Sequence, residues 1–219
     1  MKKIIMLVTI LFVLTGCTAK YSITINEDLT VNEEANLAGT SEFYATYYKS
    51  TKKNVLKMLI DSYKSVLDEN NYKYELVEEE EPYIKVQKKY DNVKDYVEKT
   101  ILFNDYFDTV KYSENGNIKK IETEGYYANN KEDPNRFDIE KLEISITCPY
   151  KVVNNNAKIV NKKTNTYYFD LFKDNKIIFE YDSSQKFNPN EGEFIKILII
   201  LSIVVVGWLT VIIMNKKNK

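Results

Sequence analysis

The side chains of this 219-residue sequence that could carry out chemistry are its carboxylates, its tyrosines and two cysteines, because the sequence contains no histidine. Without histidine, a Ser-His-Asp or Cys-His catalytic arrangement is impossible, and the common zinc ligand sets are incomplete. We therefore assign no catalytic residue, no metal site and no cofactor from the sequence. Carboxylate-based hydrolysis stays open, since 32 acidic residues offer many pairs and no spacing selects one of them.

Two further candidates for chemistry have simple structural interpretations. Glu78 to Glu81 could collect calcium, but adjacent side chains of an extended segment alternate in direction and the run has no glycine turn, which favours a solvated acidic loop. Cys148 ends an apolar run before Pro149, so we interpret it as a small buried hydrophobic residue, with a reactive thiol as the alternative.

Aromatic residues are abundant, with 18 tyrosines and 10 phenylalanines. Most of them alternate with polar residues in predicted strands, which favours packing in a core over a groove that stacks on glycan or lipid. The pairs Tyr47-Tyr48 and Tyr126-Tyr127 are the better candidates for surface aromatics.

Residues 1–16 have the pattern of a secretory signal peptide. Lys2 and Lys3 precede an uncharged run, Ile4 to Leu14, whose 11 residues cover roughly 16 Å as a helix against a hydrocarbon core of about 30 Å. The run ends in Leu14-Thr15-Gly16-Cys17, which resembles the lipobox of bacterial lipoproteins. That resemblance implies a diacylglyceryl group on the Cys17 thiol and cleavage before Cys17. An ordinary secretory signal ending in cysteine, or an uncleaved anchor, is the alternative.

Residues 194–214 are predicted to form a transmembrane helix. Ile197 to Met214 is a run of 18 uncharged residues, or roughly 27 Å of helix, and Lys196 can reach the membrane interface. A buried core helix is the alternative. Residues 215–219 contain three lysines and no acid, which predicts a cytoplasmic tail. Together with lipidation of Cys17, this places the intervening domain on the extracytoplasmic side of the cytoplasmic membrane.

The lipid-anchored domain, residues 17–181, is predicted to be α+β, with a mostly antiparallel sheet covered by one or two helices and followed by the C-terminal transmembrane helix. Apolar residues at helical spacing predict a helix from Thr51 to Asn70, capped by Ser50 or Thr51. A second helix is predicted to start after Asp91 and to run to about Phe103. Asn115-Gly116 predicts a tight hairpin turn. Residues 182–193 are predicted to be a polar linker. Alternating segments predict strands at 20–26, 31–38, 72–77, 83–90, 107–112, 118–126, 139–148, 157–160, 166–172 and 176–181.

Charge and tether length restrict the partners. Residues 18–193 contain 25 basic and 32 acidic residues, a net charge of −7, which argues against a nucleic-acid partner. The first strand is predicted to begin near Tyr21, about four residues and roughly 13 Å of chain from Cys17. Partners are therefore expected in the membrane or just above it. Lipidation is expected to determine which side of the domain faces the bilayer.

Two segments of the domain resemble the LppM-like domain of bacterial lipoproteins. One is Ile23 to Val31 with its Asn26-Glu27-Asp28 turn, and the other is Ile144 to Tyr181 with Pro149 and three asparagines at 154–156. The resemblance covers about 50 residues and departs from the family pattern where Tyr168-Phe169 replace a tryptophan in the penultimate strand. It implies an α+β envelope lipoprotein that contacts lipids or envelope glycolipids, and it supplies no catalytic residue.

The favoured function is a non-catalytic interaction or lipid-contact module, anchored twice at the outer face of the cytoplasmic membrane. Its candidate partners, besides the membrane itself, are an envelope lipid, a glycolipid or a membrane protein. An accessory subunit of a membrane complex is the alternative, and a carboxylate-based envelope hydrolase has less support.

Overall fold

The computed structural model describes residues 18–38, 45, 49–104, 106–126, 141–189 and 201–203. The predicted signal peptide, Cys17 and the tail at 215–219 lie outside the described residues, as does the predicted transmembrane segment except for 201–203, whose backbone is helical. No helix among the described residues combines the length and the apolar character needed to cross a membrane. The chain forms two units, residues 1–187 and 188–219.

The described part of the first unit is α+β with two sheets, and most of its strand pairs are antiparallel. Its helices are α1 (Lys52–Glu69), α2 (Val93–Lys99), α3 (Ile101–Asn104) and α4 (Leu171–Asp174). Its strands are β1 (Thr18–Ile25), β2 (Val31–Ala38), β3 (Lys73–Val77), β4 (Tyr83–Tyr90), β5 (Phe107–Asn115), β6 (Ile118–Tyr126), β7 (Lys141–Thr147), β8 (Tyr150–Asn155), β9 (Ile159–Asn161), β10 (Thr166–Phe169) and β11 (Ile178–Lys186).

The larger sheet has seven strands in the order β3-β4-β2-β1-β7-β10-β9. β1 lies at its centre, where it pairs antiparallel with β2 and parallel with β7. Alternation places Tyr21, Ile23 and Ile25 on the inner face, and the outer face is polar. This is the usual pattern of a sheet with one packed and one solvated face.

The smaller sheet, β5-β6-β11-β8, packs against the inner face of the larger one through aromatic rings. Phe179 of β11 meets the ring of Tyr167 edge-on, with centroids 5.3 Å apart. Phe103 of α3 bridges the two sheets, since its ring lies 5.6 Å from that of Tyr21 and 5.2 Å from that of Phe107. The tyrosines and phenylalanines of the strands therefore form much of the core, as their alternation predicted.

Local signals located several elements correctly. The opening hairpin, the long helix capped by Thr51 and the turn at Gly116 agree with the structure, where Thr51 Oγ1 accepts a hydrogen bond from Asn54 N at 3.4 Å and Gly116 has φ +60°. These features depend on residues close in sequence, so the pattern is sufficient to find them.

Other boundaries differ from the sequence prediction. β1 begins at Thr18 rather than near Tyr21, because both neighbouring strands extend to pair with it. The predicted helix from Asp91 to Phe103 is two helices, since the backbone at Thr100 is extended. β11 continues to Lys186, five residues into the predicted linker. Two sheets replace the single predicted sheet, because alternation does not specify a strand's partner.

Candidate functional site

One acidic side chain points into the core of the first unit. Glu33 lies on the inner face of β2, in the same alternating phase as Val31, Ala35 and Leu37, and is 1% exposed. Burying a carboxylate is costly unless hydrogen bonds replace its water shell. Sequence reasoning missed this residue, although the signal was present, since Glu33 occupies an apolar phase of the strand.

Four hydroxyl groups replace the water around Glu33. Its Oε1 accepts hydrogen bonds from Tyr21 and from Thr100, the latter at 2.6 Å. Its Oε2 accepts from Tyr90 at 2.5 Å and from Tyr72 at 3.0 Å. A carboxylate offers about four lone-pair sites, so the acceptor capacity of Glu33 is filled. We call Glu33 and these four hydroxyl residues the Glu33 cluster.

A second layer of hydrogen bonds fixes the hydroxyl groups. The hydroxyl oxygens of Tyr21 and Tyr96 are 2.9 Å apart, and because the Tyr21 proton is directed at Glu33, Tyr96 is the donor to Tyr21. Ile101 N donates to the Tyr72 hydroxyl at 3.3 Å. The network thus connects β1, β2, β4 and the residue before β3 to the α2–α3 junction.

Thr100 explains the break between α2 and α3. Its hydroxyl donates to Glu33 and accepts from Phe103 N at 3.1 Å, which is the role of a helix N-cap. An N-cap residue has a non-helical backbone, so the helix cannot continue through Thr100.

One cationic side chain, Lys88, faces Glu33 across the β2–β4 pair. It lies directly opposite Glu33 in the β2–β4 pairing, with its Nζ 4.9 Å from the ring centroid of Tyr72 and 4.8 Å from that of Tyr90. Partial burial lowers the pKa of Lys88, and the charge of Glu33 opposes that shift. Burial and the charge of Glu33 raise the pKa of Tyr21, Tyr72, Tyr90 and Tyr96, so these hydroxyls keep their protons well above neutral pH.

The Glu33 cluster is therefore suited to holding elements together rather than to acting on a substrate. General acid–base catalysis needs a carboxyl group within hydrogen-bond reach of the reacting atom. In Glu33 both oxygens are occupied by side chains of the same core. The hydrogen bonds of the cluster hold the strands and the α2–α3 junction together within the core.

The outer face of the seven-stranded sheet has a shallow, open concavity of about 520 Å³. Its lining is polar and includes the half-buried residues Ser22, Thr24 and Gln87 and the exposed lysines Lys73 and Lys89. A smaller concavity of about 260 Å³ is lined by Lys20, Asn36, Ala38 and Tyr83. Every residue that lines the larger concavity is polar or charged, so this surface offers hydrogen bonds to a polar molecule.

The acidic run at 78–81 is held by lysines of α1. Glu81 pairs with Lys52 at 2.6 Å, and Glu78 pairs with Lys53 at 2.5 Å. Glu79 and Glu80 are exposed. Within the described ranges, no group of three or more acidic or cysteine side chains is placed to hold a metal ion. The run forms a loop with ion pairs at both ends.

Cys148 is 1% exposed, and burial raises the pKa of its thiol to about 12. A thiol with so high a pKa is a weak nucleophile at neutral pH, which agrees with the interpretation as a buried hydrophobic residue. Tyr126 corrects a prediction, because it is 2% exposed and packs against Phe107 instead of lying on the surface. Tyr47, Tyr48 and Tyr127, the other predicted surface aromatics, lie outside the described residues.

Comparison with known proteins gives one similar structure. The chain is similar to the folded domain of LppM from Mycobacterium tuberculosis, solved by NMR, with 16% sequence identity, a TM-score of 0.46, and coverage of 80% of this chain and 93% of that one. No protein-family model matches the chain, and no curated protein matches it. At this identity no site residue can be transferred from LppM.

Proposed function

We propose that this chain is an envelope lipoprotein, held at the outer face of the cytoplasmic membrane by a diacylglyceryl group on Cys17 and by an apolar helix within residues 194–214. Its folded domain is a non-catalytic module that contacts lipid or another envelope component. The observation that carries the proposal is the start of β1, where strand pairing begins at Thr18, directly after Cys17.

The first residues of a domain usually fray unless they are tied down. Thr18 is instead the first residue of the central strand of a seven-stranded sheet and is paired on both sides, with Ala38 and with Lys141. One peptide unit, about 3.8 Å between Cα atoms, separates it from Cys17. A lipid on Cys17 would tie the middle of the sheet to the bilayer almost without slack.

The Glu33 cluster supports the non-catalytic part of the proposal. Glu33 is the acidic side chain that the fold buries most deeply among the described residues, and its oxygens bind four hydroxyl groups of the core. The catalytic carboxylates of glycoside hydrolases instead flank the bond that is cleaved, roughly 5 to 9 Å from each other.

Mass spectrometry of the N-terminal peptide of protein purified from membranes tests the proposal. We expect a peptide that begins at Cys17 and carries a diacylglyceryl group, and a Cys17→Ala variant that keeps its leader. Cys148→Ala is the matched control and should be lipidated like the wild type. Recovery of an unmodified Cys17 with the leader attached would contradict the proposal.

Topology is tested separately by adding protease to intact cells. The folded domain should be accessible while an epitope placed after Lys219 should be protected. Digestion of that epitope in intact cells would exclude a cytoplasmic tail.

A further inference from the structure

The exposed apolar side chains of the folded domain are concentrated on two edge strands. Val153 on β8 is 48% exposed, and Ile159 and Val160 on β9 are 59% and 38% exposed. β8 is an edge of the four-stranded sheet and β9 is an edge of the seven-stranded sheet. Grouped exposed apolar side chains commonly mark an interaction surface. Among the described residues of the domain, Met58 on α1 is the comparable exposed apolar side chain elsewhere.

In the pairing between β8 and β11, Val153 is skipped by the register. Glu180 of β11 pairs with Asn154, and the next residue, Tyr181, pairs with Val152, so β8 has one extra residue at Val153. An extra residue of this kind is a β-bulge, which redirects a side chain at a sheet edge.

The same region has a charge opposite to that of the domain. Residues 148–169 contain four lysines and no acidic residue, whereas residues 18–193 have a net charge of −7. Lys158 pairs with Asp170 at 2.6 Å. Lys162 and Lys163 are exposed on the turn between β9 and β10, and neither forms an ion pair with a described residue. We call Val153, Ile159, Val160, Lys162 and Lys163 the β8–β9 surface.

The two chain exits lie at opposite ends of β1. Thr18, next to Cys17, begins the strand, which ends at Ile25, about 23 Å away at 3.3 Å per residue. The chain leaves the domain at the Ile25 end, because Lys186 pairs with Glu27 of the following turn at 2.6 Å. Phe187 N also donates to Pro149 O at 2.9 Å, next to Tyr150, whose hydroxyl donates to Glu27 O at 2.7 Å.

Two tethers at opposite ends of one strand limit how far either end of β1 can rise from the bilayer, since residues 187–193 span at most about 24 Å. The domain can still roll about the line of β1, because neither tether resists that motion. β9 lies three strands to one side of β1, or about 14 Å, and Val160 is level with Ile23 through the pairings across β7 and β10. A contact between β9 and the bilayer would therefore prevent rotation of the domain about β1.

We infer that the β8–β9 surface rests on the anionic lipid leaflet in which the chain is anchored. Val153, Ile159 and Val160 enter the boundary between headgroups and acyl chains, and Lys162 and Lys163 lie against lipid phosphates. The inference rests on the proposed function, since it needs both tethers. The lysines favour lipid over a protein partner, because lysine is depleted in protein interfaces.

The inference is tested with the full-length lipidated protein in vesicles of phosphatidylcholine and phosphatidylglycerol that contain a spin-labelled quencher lipid. A fluorophore is attached at Val160→Cys, and Met58→Cys is the control of similar exposure on α1. We expect quenching at position 160 and none at position 58. Absence of quenching at position 160 overturns the inference.

Reversing the charges of Lys162 and Lys163 gives a second test of the inference. Lys162→Glu with Lys163→Glu should shift the ratio of quenched to unquenched orientations at position 160 by roughly thirtyfold or more, and vesicles of phosphatidylcholine alone should abolish the difference. Lys57→Glu with Lys64→Glu, two exposed lysines of α1, is the matched control and should change nothing. Equal effects of the two pairs contradict the inference.

Flotation of the same vesicles separates the two proposals. A chain that does not float with the vesicles lacks its anchors, which overturns the proposed function and this inference together. A chain that floats while position 160 stays unquenched overturns this inference alone.

Discussion

Glu33 on β2 and Thr100 between α2 and α3 are joined by a hydrogen bond of 2.6 Å, although 67 positions separate them in the sequence. Thr100 ends one helix, begins the next and fills an acceptor site of a buried carboxylate. A single hydroxyl therefore ties the helical layer to the centre of the larger sheet. This relationship makes the stability of the domain depend on a polar group in its core.

Removal of Glu33 should destabilise the domain strongly. Glu33→Ala leaves four buried hydroxyl groups without their acceptor, so we expect the free energy of unfolding to fall by about 3–5 kcal/mol. Urea unfolding followed by near-UV circular dichroism measures it, because the sequence has one tryptophan, Trp208, outside the domain.

Glu34→Ala is the control for that prediction. Glu34 lies on the outer face of the same strand, where it accepts from Gln87 at 2.7 Å and pairs with Lys85 at 3.2 Å. Its loss should cost no more than about 1 kcal/mol. Similar losses for the two variants would show that the Glu33 cluster does not stabilise the core.

The buried tyrosines predict alkaline sensitivity. Their folded-state pKa values are raised above the ordinary 10.0 by burial and by Glu33. The unfolded chain loses those protons near pH 10 while the folded chain keeps them. The stabilisation is therefore complete below about pH 10 and is lost as pH rises toward the folded-state values. Unfolding midpoints measured from pH 8 to 12 should fall beyond pH 10, together with a rise in tyrosinate absorbance.

Tyr90→Phe should make that alkaline decline shallower, since one of the shifted groups is removed. Phe103→Leu is the control, because it alters the packing against Tyr21 without removing a titrating group. It should lower stability by a similar amount at every pH. An unchanged slope for Tyr90→Phe would refute the explanation by tyrosine ionisation.

Cys148 should be unreactive in the folded chain. Its thiol is buried and its pKa is raised to about 12, so at pH 8 we expect negligible reaction with a disulfide reagent and full reaction in urea. Ser113→Cys, at an exposed position on β5, should react at once in the folded chain. Rapid native labelling at Cys148 would restore the alternative of a reactive thiol.

Two glycines in left-handed conformation should respond differently to substitution. Gly125 has φ +68°, and a Cβ there would lie 1.9 Å from Asp108 Oδ2, whereas Gly116 has φ +60° and open space. Gly116→Ala should cost about 1–2 kcal/mol for the backbone alone, and Gly125→Ala should cost more. Gly116→Asn should be nearly neutral, because asparagine tolerates this conformation. Thermal melts compare the three variants, and equal losses at the two glycines would contradict the role of Asp108.

Sequence patterns located the elements that are determined by residues close in sequence. Thr51 could be recognised as a cap, and Gly116 as a turn residue, because a few neighbouring residues determine each feature. The same patterns placed the first strand too late and joined α2 to α3, because the start of β1 and the break at Thr100 depend on partners distant in sequence.

The sequence indicated only one member of the Glu33 cluster, Glu33 itself. Alternation along β2 assigns Glu33 to an apolar phase, and that signal alone marks it as unusual. Its partners come from four separate segments, β1, β4, the residue before β3 and the α2–α3 junction, which no spacing relates to one another.

By itself, the sequence determined that this protein is an α+β chain rich in alternating strands and without histidine, and it predicted an apolar leader followed by lipidation of Cys17. Only the tertiary structure decided that there are two sheets, that β1 pairs in parallel with β7, that Glu33 is enclosed by hydroxyl groups, and that the chain enters and leaves at opposite ends of one strand. The physical reason is that composition and local propensity act over a few residues, whereas strand partners and buried hydrogen bonds are chosen by packing across the whole domain.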